Sequence, residues 1–205
     1  MLEATERARL ESMLLETTKV GDWPAAATRA IRGYGPEILG YLLGVIGREA
    51  DAEDAFSDFC IDLWRGLPEF RGESSLRTWA YRLAHNVAMR DLRRKARRTR
   101  IAPFVEFPDL ELIAEQLRSD TLPFLRTAVR AEVARLREQL AVEDRTLLIL
   151  RLDRRLSWES IARITSDVAE PDAEAIKRDS ARVRKRYERV KLRLRELARP
   201  LVGDT

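Results

Sequence analysis

Apolar positions recur along this chain at intervals of three and four, and nowhere in a sustained alternation of two. Ile38, Leu39, Tyr41, Leu42, Val45 and Ile46 share one helical face after Gly33-Tyr34-Gly35-Pro36, which reads as a turn, so a helix is predicted over Glu37–Ile46. The spacing returns in Ala55, Phe56, Phe59, Cys60 and Leu63, predicting a helix over Ala52–Trp64 that Gly66-Leu67-Pro68 ends. Phe70–Ser75 then reads as a loop and Leu76–Arg98 as a long helix. Without period-two alternation a substantial sheet is not expected, and the fold class is all-α.

Ile101–Pro123 breaks the pattern. Pro103, Pro108 and Pro123 interrupt helices, and Glu106, Asp109, Glu111, Glu115 and Asp120 stand against a single base, Arg118. The stretch reads as an acidic linker over 100–123, with a short helix near Leu110–Leu117; Ile101, Phe104, Val105 and Phe107 suit it to docking on a surface. Helical patterns resume over Leu125–Leu140, Glu143–Leu152 and Ser157–Thr165, where Ser157 is a good N-cap and Glu159 lies in the first turn. A long basic helix follows to about Arg199. The expected organisation is an N-terminal arm (1–24), a helical domain (25–99), the linker (100–123) and a second helical domain (124–200).

Composition narrows the function classes. Apolar residues make up 45%, ample for a core, and the net charge is only +4. Cys60 and His85 are the single cysteine and histidine, so an internal disulfide and a Cys/His metal site are both excluded. Cys60, on an apolar helical face, reads as core. No paired acid and base or phosphate-cradling loop is visible, so neither an enzyme nor a cofactor is expected. No apolar run approaches the roughly 20 residues of a membrane span, and the start of the chain lacks a signal-peptide pattern. The expected location is the cytoplasm, without membrane insertion.

Charge is segregated rather than abundant. Glu49 to Asp62 carries six acids and no base, whereas Arg71 to Arg100 holds ten Lys/Arg against Glu73 and Asp91, a net +8. Asp54, Asp58 and Asp62 fall at i, i+4 and i+8 on one face. Such stripes are usually solvated, but like charges in a row repel, and a basic partner would turn that cost into attraction. On the next helix Arg82, Asn86, Arg90, Arg93 and Arg97 form a polar and basic stripe, with Leu76, Trp79, Leu83 and Val87 opposite. Bases on one face and a core on the other suit nucleic-acid binding. The preceding loop could hold a base taken out of its stack, with Trp79 and Tyr81 as candidate platforms. Core packing is the competing assignment for both aromatics, and the better one for Trp79.

Near the other end, Ser157 to Ile164 followed by a basic helix resembles a helix-turn-helix. Ile176, Val183, Tyr187, Val190, Leu194 and Leu197 form an apolar seam, opposite Arg178, Arg182, Lys185, Arg186, Arg189 and Arg193. Such a motif docks its second helix in the major groove. A basic amphipathic helix also suits RNA or an acidic protein.

In combination these segments resemble a known family. Asp51-Ala52-Glu53-Asp54, the helix to Leu63-Trp64, Leu67-Pro68, Phe70-Arg71-Gly72-Glu73-Ser74-Ser75, Arg77-Thr78-Trp79 and Asn86 closely resemble bacterial sigma factors of the extracytoplasmic-function type. The likeness is strong over Ala26–Arg98 and looser over Glu132–Leu197. It implies two helical domains in a promoter-specificity subunit of RNA polymerase. Asp51, Glu53, Asp54, Asp58 and Asp62 would bind the largest subunit of the core enzyme. Arg71, Gly72, Glu73, Ser74, Ser75, Arg77, Trp79, Arg82, Asn86, Arg90 and Arg93 would open and read the −10 element of promoter DNA. A C-terminal helix-turn-helix would read the −35 element through Arg178, Arg182, Arg184, Lys185, Arg186 and Arg189, and bind the flap of the second-largest subunit. The linker would thread toward the RNA exit path, its acidity mimicking the transcript. Family members often pair with an anti-sigma protein. Two departures stand out: the arm before Trp23 exceeds the minimal family core, and Ser166 to Ala181 replaces the usual short turn, so that either the turn is enlarged or the recognition helix starts early, near Pro171. The rival assignment is an autonomous helix-turn-helix regulator, which would bind duplex DNA without polymerase and leave the acidic helix unexplained.

Overall fold

The computed structural model describes residues 4–96 and 135–202, and every regular element among them is helical. They form two compact units, divided between Phe124 and Leu125. The expected linker, its short helix and most of Leu125–Leu140 lie outside the described residues.

The first unit holds α1 (Ala4–Val20), α2 (Trp23–Ile46), α3 (Glu49–Gly66) and α4 (Leu76–Ala96), with a 3-10 turn at Leu67–Glu69. Gly21, at φ 78°, turns the chain between α1 and α2, and the Asp22 carboxylate caps α2 by accepting from the Ala25 amide at 3.1 Å. α2 is the central element and packs on the other three. Its apolar face (Ile31, Ile38, Leu42, Val45) is buried, as are Phe56, Phe59 and Leu63 of α3 and Ala80, Ala84 and Val87 of α4, the helices on which it packs. Cys60 lies in this core, as its periodicity predicts.

α2 departs from expectation at its middle. Gly33-Tyr34-Gly35-Pro36 is not a turn; the helix runs through it, with Pro36 inside. Pro36 is exposed there, where a carbonyl left without its helical partner can be met by water. Gly33 has a packing reason. A Cβ at this position would lie 2.2 Å from Cδ2 of Leu10, so the glycine lets α1 approach closely. Leu10 and Leu14 are buried in consequence. Ala4–Val20, ahead of Trp23, thus forms a helix docked on α2.

The second unit contains α5 (Val142–Leu148), a π-helical turn (Ile149–Asp153), α6 (Trp158–Ile164) and α7 (Ala173–Val202). The helix expected to run evenly to Leu152 widens in its last turn, where the Ile149 carbonyl accepts from Arg154 and that of Leu150 from Leu156. Arg155, at φ 53°, then reverses the chain, and Arg151 braces the reversal by donating to the Leu156 carbonyl at 2.7 Å. Ser157 caps α6 as expected, accepting from the Ser160 amide. The stretch between α6 and α7 is an eight-residue connection, Thr165 to Asp172, and Asp172 starts α7 by accepting from the Ala175 amide at 2.7 Å. Ile176, Tyr187 and Val190 carry the buried seam of α7. Tyr187 meets Trp158 of α6 edge-on at 5.2 Å.

Candidate nucleic-acid interface

The loop between the 3-10 turn and α4 is held at both ends. At its start Phe70 packs on Trp79, ring centroids 5.3 Å apart. Behind them Gly66 leaves room for the Trp79 ring, which a Cβ there would meet at 3.0 Å. Trp79 is half-buried rather than fully core. Tyr81 is fully buried against Tyr41, edge to face at 5.5 Å, so it is core and not a stacking platform. At the end of the loop the Ser75 hydroxyl accepts from the Thr78 amide (3.1 Å) and donates to the Thr78 hydroxyl (2.9 Å). Ser75 thus serves first as the N-cap of α4. Between these anchors Arg71, Gly72 and Glu73 are exposed, with Gly72 at φ 74°, and Ser74 is half-buried.

Arg77 does not join this surface. Only 5% exposed, it donates from Nε and Nη2 to the two carboxylate oxygens of Glu37, at 2.7 and 2.8 Å. Burial alone would lower its pKa, but the hydrogen bonds and charge of Glu37 raise it. A guanidinium committed to a bidentate buried carboxylate has little left to offer DNA, so its assignment to the −10 set is corrected to a structural one. The rest of the set lies along α4: Arg82 and Arg90 half-buried, Asn86 and Arg93 exposed. Arg97 lies outside the described residues.

The acidic face of α3 sits beside that basic stripe and is partly neutralised by it. Arg90 reaches Asp62 at 3.0 Å and Asp58 at 3.7 Å, and Arg94 reaches Asp58 at 3.6 Å. Even so, burial pushes the Asp58 carboxyl above its ordinary range; Arg90 and Arg94 pull it back, and Asp62 and Asp91 add to the rise. Asp51 is buried in the first turn of α3, 3.3 Å from Arg48. Glu53 is half-buried. Asp54 is exposed and has no ion pair among the described residues.

In the second unit Arg178, Arg182, Arg184, Lys185 and Arg189 of α7 are exposed. Arg182 also pairs with Asp179 one turn earlier, at 3.1 Å. Arg186 differs, because its Nε donates to Asp144 of α5 at 2.5 Å and Nη2 lies 3.7 Å from Glu143. Its first duty is to clasp α7 to the start of α5. Replacing Arg186 with alanine is expected to lower the stability of the second unit by about 0.2–1 kcal/mol, the range of surface ion pairs, seen as a lower melting temperature. An unchanged transition would mean that the clasp carries no weight.

Residues 30–98, a span that takes in most of α2 and all of α3 and α4, match the family described as Sigma-70 region 2. The chain is also 30% identical over 158 residues to the RNA polymerase sigma-H factor of Pseudomonas aeruginosa, an overlap covering 75% of this chain and 81% of that protein. It is 33% identical over 135 residues to the RNA polymerase sigma factor YlaC of Bacillus subtilis, covering 65% and 75% respectively. A third relative, the ECF RNA polymerase sigma-E factor of Haemophilus influenzae, is 29% identical over 166 residues, covering 75% and 82%. The chain belongs to the sigma factors of the extracytoplasmic-function type.

Two residues important to this sigma factor's loop escaped the sequence pattern. Glu11 of α1 accepts from the amides of Leu76 and Arg77 at 3.0 and 2.9 Å, and from the Tyr34 hydroxyl at 2.6 Å. Glu37 holds Arg77 from α2. Glu11 lies among other charged residues on a helix with no obvious partner, so periodicity could not single it out. Glu37 had a usable signal: it is followed by Ile38 and Leu39 on a strongly apolar helix, where a buried acid requires a base. Among the described residues no group of His, Cys, Asp and Glu is placed to hold a metal, and no helix is long and apolar enough to cross a membrane.

Proposed function

We propose that this chain, as a promoter-specificity subunit of bacterial RNA polymerase, divides its work among three surfaces. The exposed acidic face of α3, centred on Asp54 and Asp58, meets the largest subunit of the core enzyme. The loop Arg71–Ser75, with the accessible part of Trp79, receives unpaired bases of the −10 element, and Arg82, Asn86, Arg90 and Arg93 follow the backbone of that strand. The pair α6 and α7 acts as a helix-turn-helix at the −35 element through Arg178, Arg182, Arg184, Lys185 and Arg189. Nucleotidyl transfer belongs to the polymerase, and no group of this chain takes part in it. The cytoplasm is where such a subunit acts.

The observation that carries this reading is the loop: a short exposed segment, fixed at both ends, flanked by a half-buried tryptophan and leading into a basic helix. Capturing an unstacked base needs a pocket with an aromatic neighbour and a cationic track for the strand, and a preformed pocket avoids an ordering cost at the moment of capture. Reconstitution with bacterial core polymerase tests the assignment as a whole. Replacing Arg178 and Arg182 with alanine is expected to weaken promoter binding by the holoenzyme and to reduce its salt dependence by up to about one unit of log–log slope per lost phosphate contact. Core binding should persist. Promoter binding that is unchanged in both affinity and salt dependence would remove α7 from the DNA surface.

A further inference from the structure

The first turn of any α-helix leaves amides without partners inside the helix. In α4 these amides are satisfied from two sources. Ser75 supplies its hydroxyl to the amide of Thr78, while its carbonyl takes the first ordinary i→i−4 bond, from Trp79. The other two, those of Leu76 and Arg77, are met by the two carboxylate oxygens of Glu11, a residue 65 and 66 positions away on α1. Tyr34, buried in α2, holds one of the same oxygens by donating its hydroxyl at 2.6 Å. Burial, and then this hydrogen bond to Glu11, push the Tyr34 phenol far above its ordinary range, which keeps it a donor.

From this geometry we infer that Glu11 is a positioning residue for promoter opening: it fixes the end of the Arg71–Ser75 loop to α1, so that the base-capturing segment is already shaped before DNA arrives. The inference rests on the proposed role of that loop. The loop is held at its start by Phe70 against Trp79, and an equal hold at its end requires that the first turn of α4 not fray. A negative carboxylate is well placed against the positive end of the helix, whereas a neutral side chain there would be weaker. The same carboxylate occupies the spot where the helix terminus would otherwise attract a phosphate. The DNA strand is thereby directed past the helix end to the loop and to the bases of α4. α1, outside the residues that match the family's region 2, acquires a task in the reading of promoter DNA.

The test uses the full chain reconstituted into holoenzyme, with a fluorescent single-stranded −10 oligonucleotide and permanganate detection of opened promoter. Glu11→Ala is expected to weaken oligonucleotide capture and reduce opening about fivefold or more, as a lost cap lowers the fraction of chains holding the competent loop. Tyr34→Phe, which leaves the carboxylate but frees it, should act in the same direction and less strongly. Affinity for core polymerase should not change in either. Leu14→Ala supplies the control for mere loosening of α1, since Leu14 is fully buried but touches neither the cap nor the loop through a hydrogen bond. At matched loss of melting temperature, Leu14→Ala should retain more capture than Glu11→Ala. Equal losses in the two would overturn the positioning role, as would normal capture by Glu11→Ala. Should the parent holoenzyme fail to capture the oligonucleotide at all, the proposed loop function falls, and this inference with it.

Discussion

Replacing Arg77 with alanine is expected to destabilise the first unit by about 3–5 kcal/mol, the penalty for leaving one member of a buried ion pair without the other. Glu37 would remain inside α2 with both oxygens stripped of their donors. Against a total domain stability of about 5–15 kcal/mol, that loss is enough to make the unit fold marginally. Denaturant titration should show the midpoint falling steeply with little change of slope. The informative companion is Arg77→Met with Glu37→Leu, which removes both charges at similar volume and should restore most of the stability. This pair of variants separates two roles for Arg77. A double variant that folds and still opens promoters assigns the arginine to the frame beneath the loop. A single variant that melts normally but no longer binds promoter DNA would return Arg77 to the DNA surface.

Arg77 also shows where sequence reading reaches its limit. Its place between Ser75 and Trp79, within a basic segment, offered no sign that it turns inward, because an arginine pointing to solvent and one paired across the core have the same local spacing. The acid that decides the matter lies 40 residues earlier. The helices themselves were more legible. The apolar repeats of α2, α3 and α4 are regular, and burial follows them through Ile38, Leu42, Phe56, Phe59 and Val87. Local turn chemistry misled at Gly33 to Pro36, where the glycine serves a close approach by Leu10 and the proline faces solvent. It succeeded at Ser157, whose cap depends only on residues within one turn. Charge behaved in a third way. The segregation of acids and bases was visible, but not that Arg90 and Arg94 would turn toward Asp58 and Asp62. Pairing across helices depends on packing angle and register, neither of which is written in either segment alone.

That pairing shapes the other large effect expected. Reversing Asp54 and Asp58 to lysine should weaken binding to core polymerase by about 2–5 kcal/mol, if the two acids face basic groups that become desolvated in the complex. Their contributions are not equivalent. Asp54 is exposed and unpaired among the described residues, so Asp54→Lys alone should reduce core affinity without altering the melting of the free chain. Asp58→Lys would also face Arg90 and Arg94, adding repulsion inside the unit. Asp58→Asn reveals the sign of the stored cost. Because the folded carboxyl titrates above its ordinary value, the protonated form is favoured by folding. Asp58 therefore contributes stability below the ordinary carboxylate range, and that contribution is lost as pH rises through its raised folded value. At neutral pH burial works against the Asp58 charge, and Arg90 and Arg94 work for it. Asp58→Asn should leave the free chain at least as stable at pH 7, with any advantage disappearing in acid, while core affinity falls. A loss of core affinity without a loss of stability would mark Asp58 as placed for a partner. Normal core binding by Asp54→Lys and Asp58→Asn together would show that these acids of α3 do not face the polymerase, and the contact would have to be sought on another face of the unit.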